Sequence, residues 1–466
     1  MGRPDLRKSL SLTTATAIVV GSVIGSGIFK KTAGMTDALP SPVLVLAVWV
    51  VAAAVTFIGA LSAAELSATF PETGCLYAHL RRVMGRFPGF LYGWSTLSVI
   101  QTGSIASVAY VFAQYLRYFV QWPDPPAAWD STGYVLLGAI DIDPLRDLWT
   151  RLVAVGCVGV VTVLNVAGVR LGALVQDTFM WLKVLIMAGI VAVAAFGAGS
   201  FGHLTEVPVL PVGMGATGLL AGLTIAISGA FWAYDGWINV TYVASEVRRP
   251  ERDMPRALAG GMAIAVASYL LVNLAYFYLL PVGEVRASSL VAADALARVL
   301  PVGAAVVSAA VVVSTFGTAN AMALSSARVY YAMSRDGMLH EAVGRVHACR
   351  GTPHVALWVQ GAWASVLVFS GTFDQITDML IFVSWAFYGL LALAVIVARV
   401  RFPDVARPYR VPGYPVVPAF FVLFSAVYVV LSVVENTRNA LFGALLVLAG
   451  VPVYAWFRWR PDRSVA

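Results

Sequence analysis

Charge is what this sequence has least of. Of its 466 residues only 12% are Asp, Glu, Lys or Arg, against about 25% in a soluble globular chain. That scarcity excludes a protein kept in water by its surface. Cysteine is scarce as well: Cys75, Cys157 and Cys349 are the only three, and the long loop at 120–150 has none. Neither a disulfide framework nor a thiolate metal site follows from that number and spacing. The five histidines are scattered, and His340, His347 and His354 lie in or beside one loop, where solvation explains them better than a metal. The sequence offers no Ser/His/Asp set and no paired carboxylates at mid-span, so the reading excludes an enzyme and expects no metal and no cofactor.

Apolar residues fill the space that charge leaves. They make up 59% of the chain, and the mean hydropathy is +0.81. Apolar runs of the roughly 20 residues that cross a bilayer recur along the whole length, whereas a β-barrel would show short alternating segments. The fold class read from this is all-α and polytopic, with about twelve spans at 13–37, 42–67, 88–119, 151–169, 174–198, 215–246, 256–281, 303–334, 354–372, 377–400, 414–433 and 439–458. The first run follows "MGRPDLRKSL" directly, is long and lacks a small-residue cleavage site, so no cleavable signal peptide is expected.

Lys and Arg set the orientation. With the N-terminus in the cytoplasm, the inner loops collect most of them, at 3–8, 81–86, 170, 248–256, 335–350, 399–410 and 458–463. The outer side keeps only Lys30, Lys31, Arg117, Arg146, Arg151, Arg286, Arg298 and Arg438. Both termini are therefore expected in the cytoplasm of a cell (inner or plasma) membrane. The net charge of +7 needs no nucleic acid; it is this bias plus contact with anionic lipid.

The first span, "TAIVVGSVIGSGIFKKTAG" (16–34), places its most helix-weakening residues, Gly25-Ser26-Gly27, halfway through the crossing. About 210 residues on, "AISGAFWAYDGWINVTYVASE" (226–246) interrupts the sixth span at Ser228-Gly229 and again at Asp235-Gly236. Backbone can unwind at membrane depth only where it faces protein, water or a ligand. Two broken helices five spans apart match inverted repeats with the substrate at the breaks. Freed amides at Gly25, Ser26 and Gly27 begin a half-helix, whose positive end suits a carboxylate. Carbonyls near Val23 and Ile24, with those of Trp232, Ala233 and Tyr234, suit an ammonium. Together they fit the head group of an α-amino acid. Gly21 and Gly25 alone would also fit a Gly-x-x-x-Gly packing face, and it is the second break that weighs against that.

Five ordered segments resemble the amino acid–polyamine–organocation superfamily, within it the L-type amino acid transporters and their bacterial serine/threonine and alanine exchanger relatives. They are "GSVIGSGIF", "FPETGCLYAHLRRVMGRFPGFLYGW" (70–94), "FWAYDGWINVTYVASEVRRPERDMPRAL" (231–258), "STFGTANAMALSSARVYYAMSRDGML" (314–339) and "RPYRVPGYPVVP" (407–418). The resemblance implies a LeuT-type fold of two five-helix inverted repeats, 13–198 and 215–400, followed by two further helices at 414–458. It puts the substrate carboxylate on the Ser26 and Gly27 amides and the amine on carbonyls of Val23, Trp232, Ala233 and Asp235. Trp232 takes the place of the aromatic gate, and Thr318 and Phe387 face the pocket. Cys75 stands where a second Gly is usual, and His340 where Pro is common. The outer loop lacks the Cys that bonds a heavy chain in eukaryotic light subunits, so no disulfide-linked heavy chain is expected.

An ionisable group in mid-membrane is costly and marks function. Lys183 lies about two turns inside the fifth span, in "VQDTFMWLKVLIMAG". It either neutralises helix carbonyls as a packing residue or, as the resemblance implies, puts its ammonium in the fold's second sodium site. Asp235 reads as the N-cap of the second half-helix or as a counter-charge for a cationic substrate. Glu65, Asp177 and Glu246, the last beside Arg248-Arg249, read as inner-gate ion pairs that Arg328 could join, or as interfacial charges. The resulting function is a sodium-independent antiporter of small neutral L-amino acids in the lipid bilayer. Its rivals are a proton-coupled amino acid or polyamine permease and a non-transporting amino-acid sensor.

Overall fold

A computed structural model describes residues 10–126, 134–136, 140–142, 145–197, 199–206, 216–348 and 350–459. The first span is two helices, α1 (Leu12–Val23) and α2 (Gly27–Ala38). Ser11 caps α1 by accepting the Thr14 amide at 3.2 Å, which fits the preference of Ser for that position. Ser41 and Pro42 open α3 (Pro42–Thr69) in the same way, with Pro where its missing N–H costs nothing. A short amphipathic helix, α4 (Leu76–Met84), leads into the third span. That span is α5 (Arg86–Ser95), a single π-turn at Thr96–Ile100, and α6 (Gln101–Leu116).

The loop after α6 carries a small antiparallel hairpin, β1 (Tyr134–Leu136) on β2 (Ile140–Ile142), with Val135 opposite Asp141. Spans four and five are α7 (Leu148–Ala167) and α8 (Val169–Phe196). The sixth is α9 (Ala216–Tyr234), a two-residue break, then a 3₁₀ segment, Trp237–Glu246. Next come α10 (Pro250–Leu279), two short helices α11 (Val282–Ala287) and α12 (Val291–Ala297), and α13 (Gly303–Arg335). The chain ends with α14 (His354–Ser370), α15 (Phe373–Arg401), α16 (Val416–Glu435), α17 (Thr437–Leu448) and α18 (Gly450–Trp459).

Eleven described segments are long and apolar enough to cross a membrane, and α14, at 17 residues, is the shorter apolar helix at the expected ninth position. Both breaks fall in the first and sixth spans, with one correction. Ser228-Gly229 does not interrupt α9, which runs unbroken to Tyr234; buried tertiary packing overrides the weak propensity of one Gly. Only Asp235-Gly236 opens the helix.

α1 packs against α10 and the 3₁₀ segment, α2 against α9, and α13 against α6 and α8. The broken spans are thus walled by α8, α10 and α13, while α16 to α18 flank the bundle beside α15 and α5. Exposed large apolar side chains such as Val430, Val434, Leu423 and Trp456 give these outer helices the apolar exterior that lipid requires.

Cys75 sits at a tight turn before α4 with φ 41°, next to Gly74 at φ 84°. A residue with a side chain is holding a left-handed conformation that favours glycine. The turn is pinned to the 3₁₀ segment by Thr73 on Ser245 (2.6 Å) and by the Gly74 amide on the Tyr242 carbonyl (3.3 Å). Burial pushes the Cys75 thiol up to about 12.

Candidate functional site

At the first break α1 closes with the Ile24 amide on the Val20 carbonyl (2.8 Å), and α2 restarts at Gly27. The Ser26 and Gly27 amides find no backbone acceptor among the described residues. The second break packs directly on the first. A side chain on Gly27 would collide with Ala233, whose Cβ lies 2.6 Å from where a new Cβ would stand. Gly236, at φ 97°, passes so close to the Ser22 carbonyl that an added Cβ would approach it to 2.7 Å. Glycine is required at both points by contact of one break with the other.

One phenol joins them. Tyr269 of α10 reaches the Val23 carbonyl (2.7 Å) and the Ala233 carbonyl (3.0 Å). Its single O–H can be donated fully to only one of the two at a time. These are two of the carbonyls expected to hold an ammonium, and a neutral donor, the Tyr269 hydroxyl, reaches both.

Lys183 on α8 is fully buried and donates to the Gly21 carbonyl (2.8 Å) and to the Thr318 hydroxyl. Thr318 in turn lies within donating distance of three carbonyls, Gly21 (3.3 Å), Ile24 (3.2 Å) and Ser314 (3.1 Å). The ammonium therefore braces the end of α1 against α13.

A small cavity lies between the breaks. From the first break it is lined by Val23, Gly25, Ser26 and Gly27, and from the second by Trp232, Ala233 and Asp235. Thr318 completes the expected set, and Ser22, Val108 and Met322 join it unforeseen. The Ser22 and Ser26 hydroxyls and the Trp232 indole N–H are buried without a partner among the described residues, which leaves polar capacity around the space.

Three expected residues are not among those lining it. Ile24 is buried and contributes only its carbonyl, to Thr318. Tyr234 turns away to pack on Trp49 (5.5 Å) and Tyr269 (5.2 Å). Phe387 packs edge-on against Tyr92 (5.3 Å). Its neighbour Tyr388 faces the break instead, because successive residues on a helix point about 100° apart. Asp235 is not a cap: Gly236 holds that position without a side-chain bond, and the Asp235 carboxylate accepts the Tyr388 hydroxyl at 2.6 Å. No basic side chain lies within ion-pair distance of Asp235 among the described residues.

Charged contacts tie the helices together on both faces of the bundle. On the face away from the N-terminus, Lys31 of α2 binds Asp374 (2.7 Å) and Thr377 (2.9 Å) of α15 and lies over the Phe373 ring. Phe373 packs edge-on against Trp232. On the N-terminal face, Glu246 pairs with Arg328 (3.2 Å) rather than with Arg248 or Arg249, which are exposed. Glu65 binds Arg399 (2.6 Å) and the Val411 amide (2.7 Å). Asp177 lies outside the described side chains.

A family model described as amino acid permease matches residues 10–453. The chain belongs to the amino acid permease family. Over 463 residues the permease is 29% identical to the human b(0,+)-type amino acid transporter 1, covering 97% of this chain and 88% of that one. It is 28% identical over 461 residues to the serine/threonine exchanger SteT of Bacillus subtilis, covering 96% of each, and 28% identical over 460 residues to the human cystine/glutamate transporter, covering 97% of this chain and 86% of that one.

What the sequence reading missed in the permease are the two tyrosines, Tyr269 and Tyr388. Both are buried hydroxyls in apolar spans, and a search for charge at mid-depth passes over them. Their signal is weaker: a phenol in a lipid-crossing helix needs a partner.

Proposed function

We propose that this permease is a sodium-independent antiporter that exchanges small neutral L-α-amino acids across a cell membrane by alternating access. The observation that carries this is the cavity between two touching helix breaks. Val23, Ser26, Gly27 and Ala233 all line it; the Ser26 and Gly27 amides have no backbone acceptor among the described residues, and the Val23 and Ala233 carbonyls share one hydroxyl, that of Tyr269. The carboxylate binds the amides at the positive end of α2; the ammonium replaces the Tyr269 hydroxyl on the carbonyls. Trp232, backed by Phe373, is the aromatic gate, and Val108 and Met322 limit side-chain size. The relatives support amino acid cargo, since two are named as amino acid transporters, and SteT, named as a serine/threonine exchanger, supports exchange.

Lys183 stands in for a coupling sodium ion, its Nζ taking the place of the metal between α1 and α13. The two five-helix repeats, 13–198 and 215–400, rock about this brace, with the helices at 414–458 outside the moving core. Both termini lie in the cytoplasm, so Lys31–Asp374 closes the outer side and Glu246–Arg328 the inner. No disulfide-linked heavy chain is involved.

The test is a radiolabelled uptake screen of all amino acids in proteoliposomes, loaded or empty, with sodium or choline outside and with or without a pH gradient. Exchange of Ser, Thr or Ala that needs internal amino acid and ignores both gradients is expected. Steep sodium dependence refutes the role of Lys183, and uptake driven by a pH gradient into empty vesicles favours proton coupling. A second reading has its own support: a buried cavity carboxylate, Asp235, has a hydroxyl partner but, among the described residues, no basic one within ion-pair distance. It would pair with a cationic side chain, in which case Lys and Arg outcompete Ala in the same screen.

A further inference from the structure

Below the cavity lies a second polar feature that the head-group site does not use. Gln101 on α6 and Asn239 on the 3₁₀ segment are both fully buried, and the Gln101 Nε2 donates to Asn239 Oδ1 at 2.7 Å. Gln101 Oε1 and Asn239 Nδ2 have no hydrogen-bond partner among the described residues. Turning both amides over leaves the same balance, one free N–H donor group and one free carbonyl acceptor. Like the orphaned Ser22 and Ser26 hydroxyls and the Trp232 indole N–H around the cavity, this half-satisfied amide pair has capacity for a further group.

Both residues are on elements that reach the cavity. Val108 lines it, and Gln101 lies seven residues earlier, two turns along the same face of α6. The π-turn at Thr96–Ile100 ends at Gln101, whose amide bonds the Thr96 carbonyl; such turns gather at functional positions. On the other wall, residues three apart eclipse in a 3₁₀ helix, so Gly236, Asn239 and Tyr242 share one edge. Gly236 belongs to the second break, Asn239 meets Gln101, and Tyr242 meets the Tyr92 hydroxyl at 2.5 Å. The edge therefore runs from the head-group site inward along α5 and α6, polar and without a charge.

We infer that the Gln101–Asn239 amide pair is a side-chain subsite of the transport site, specific for substrates whose side chain both donates and accepts a hydrogen bond, a hydroxyl or a carboxamide. The inference rests on the amino acid exchange proposed above and names the residues that would read the side chain. A hydroxyl gives its proton to the free carbonyl and receives the free N–H with one atom; a carboxamide does so with two. An apolar isostere leaves both amide groups bare, and a site built around such bonds discriminates strongly against the analogue that lacks them.

The experiment is competition against radiolabelled alanine exchange in proteoliposomes, using near-isosteric pairs: Ser against Ala, Thr against Val, Gln against Met. In the wild type, the polar member of at least one pair should have an apparent KM about tenfold lower or better. In Gln101→Leu and Asn239→Leu that same ratio should fall to within about threefold, the KM of the polar member moving more than that of its isostere. Ratios within threefold for all three pairs in the wild type would overturn the subsite, water alone then filling it. So would ratios that persist in both variants. The wild-type ratios need no variant to fold. Absence of exchange for every amino acid would instead overturn the functional reading on which the subsite depends.

Discussion

Replacing Lys183 by alanine tests the brace between α1 and α13 directly. The ammonium supplies the Gly21 carbonyl at 2.8 Å and the Thr318 hydroxyl. Without it, the Thr318 proton must serve Gly21, Ile24 and Ser314, all within 3.1–3.3 Å, one at a time. A buried carbonyl is then left without a donor, at a cost of about 1–3 kcal/mol. That cost falls on the closed arrangement in which α1 and α13 are tied, and corresponds to about a 5–150-fold shift between conformations. The fold should survive, since the rest of α8 packs as before. We expect normal membrane insertion and a monodisperse gel-filtration peak, with strongly reduced counterflow. Apparent affinity should change unequally for substrate added to the two faces of oriented proteoliposomes. Lys183→Arg should not rescue, because a planar guanidinium does not fit a compact ammonium position. Wild-type flux with unchanged affinity on both faces in Lys183→Ala would reduce Lys183 to a packing residue.

Three further outcomes follow from the same geometry. Gly27→Val should abolish uptake while the protein still inserts, because the new side chain meets Ala233 across the break; undiminished transport would disprove the contact between the breaks. Tyr269→Phe removes the donor shared by Val23 and Ala233 at about 1–3 kcal/mol, so exchange should slow about fivefold or more, and equal rates would show that the phenol is a bystander. In a variant retaining Cys75 as its one cysteine, maleimide at pH 8 should fail to label the folded protein and succeed after denaturation, since a buried thiol held at about 12 presents only about one thiolate in 10⁴ at that pH; rapid labelling of the native protein would contradict the burial of that turn.

The sequence revealed most where a local rule was broken at membrane depth. Gly25-Ser26-Gly27 and Asp235-Gly236 are conspicuous because a lipid-crossing helix has few reasons to carry them, and both are breaks in the structure. Ser228-Gly229 looked similar and is not a break, since a glycine weakens a helix by only about 1 kcal/mol and packing decides. Lys183 was legible for the same reason as the breaks, as the one cation deep in a span near them. Phe387 and Tyr388 were not separable from sequence, because an error of one residue in helix phase exchanges which of them faces the site. Tyr269 was invisible because its meaning lies in two carbonyls, 246 and 36 residues away along the chain.

The polar atoms proposed to hold the head group belong to the main chain: amides at 26 and 27, carbonyls at 23 and 233. Every amino acid supplies the same atoms there, so mutation can tilt them or block them but cannot change what they are. Recognition of the part common to all α-amino acids is thus insulated from drift. Variation is left to the side chains around it, such as Val108, Trp232 and Met322. A lineage built this way can diverge far in sequence and change its cargo by degrees without first having to reinvent how cargo is held.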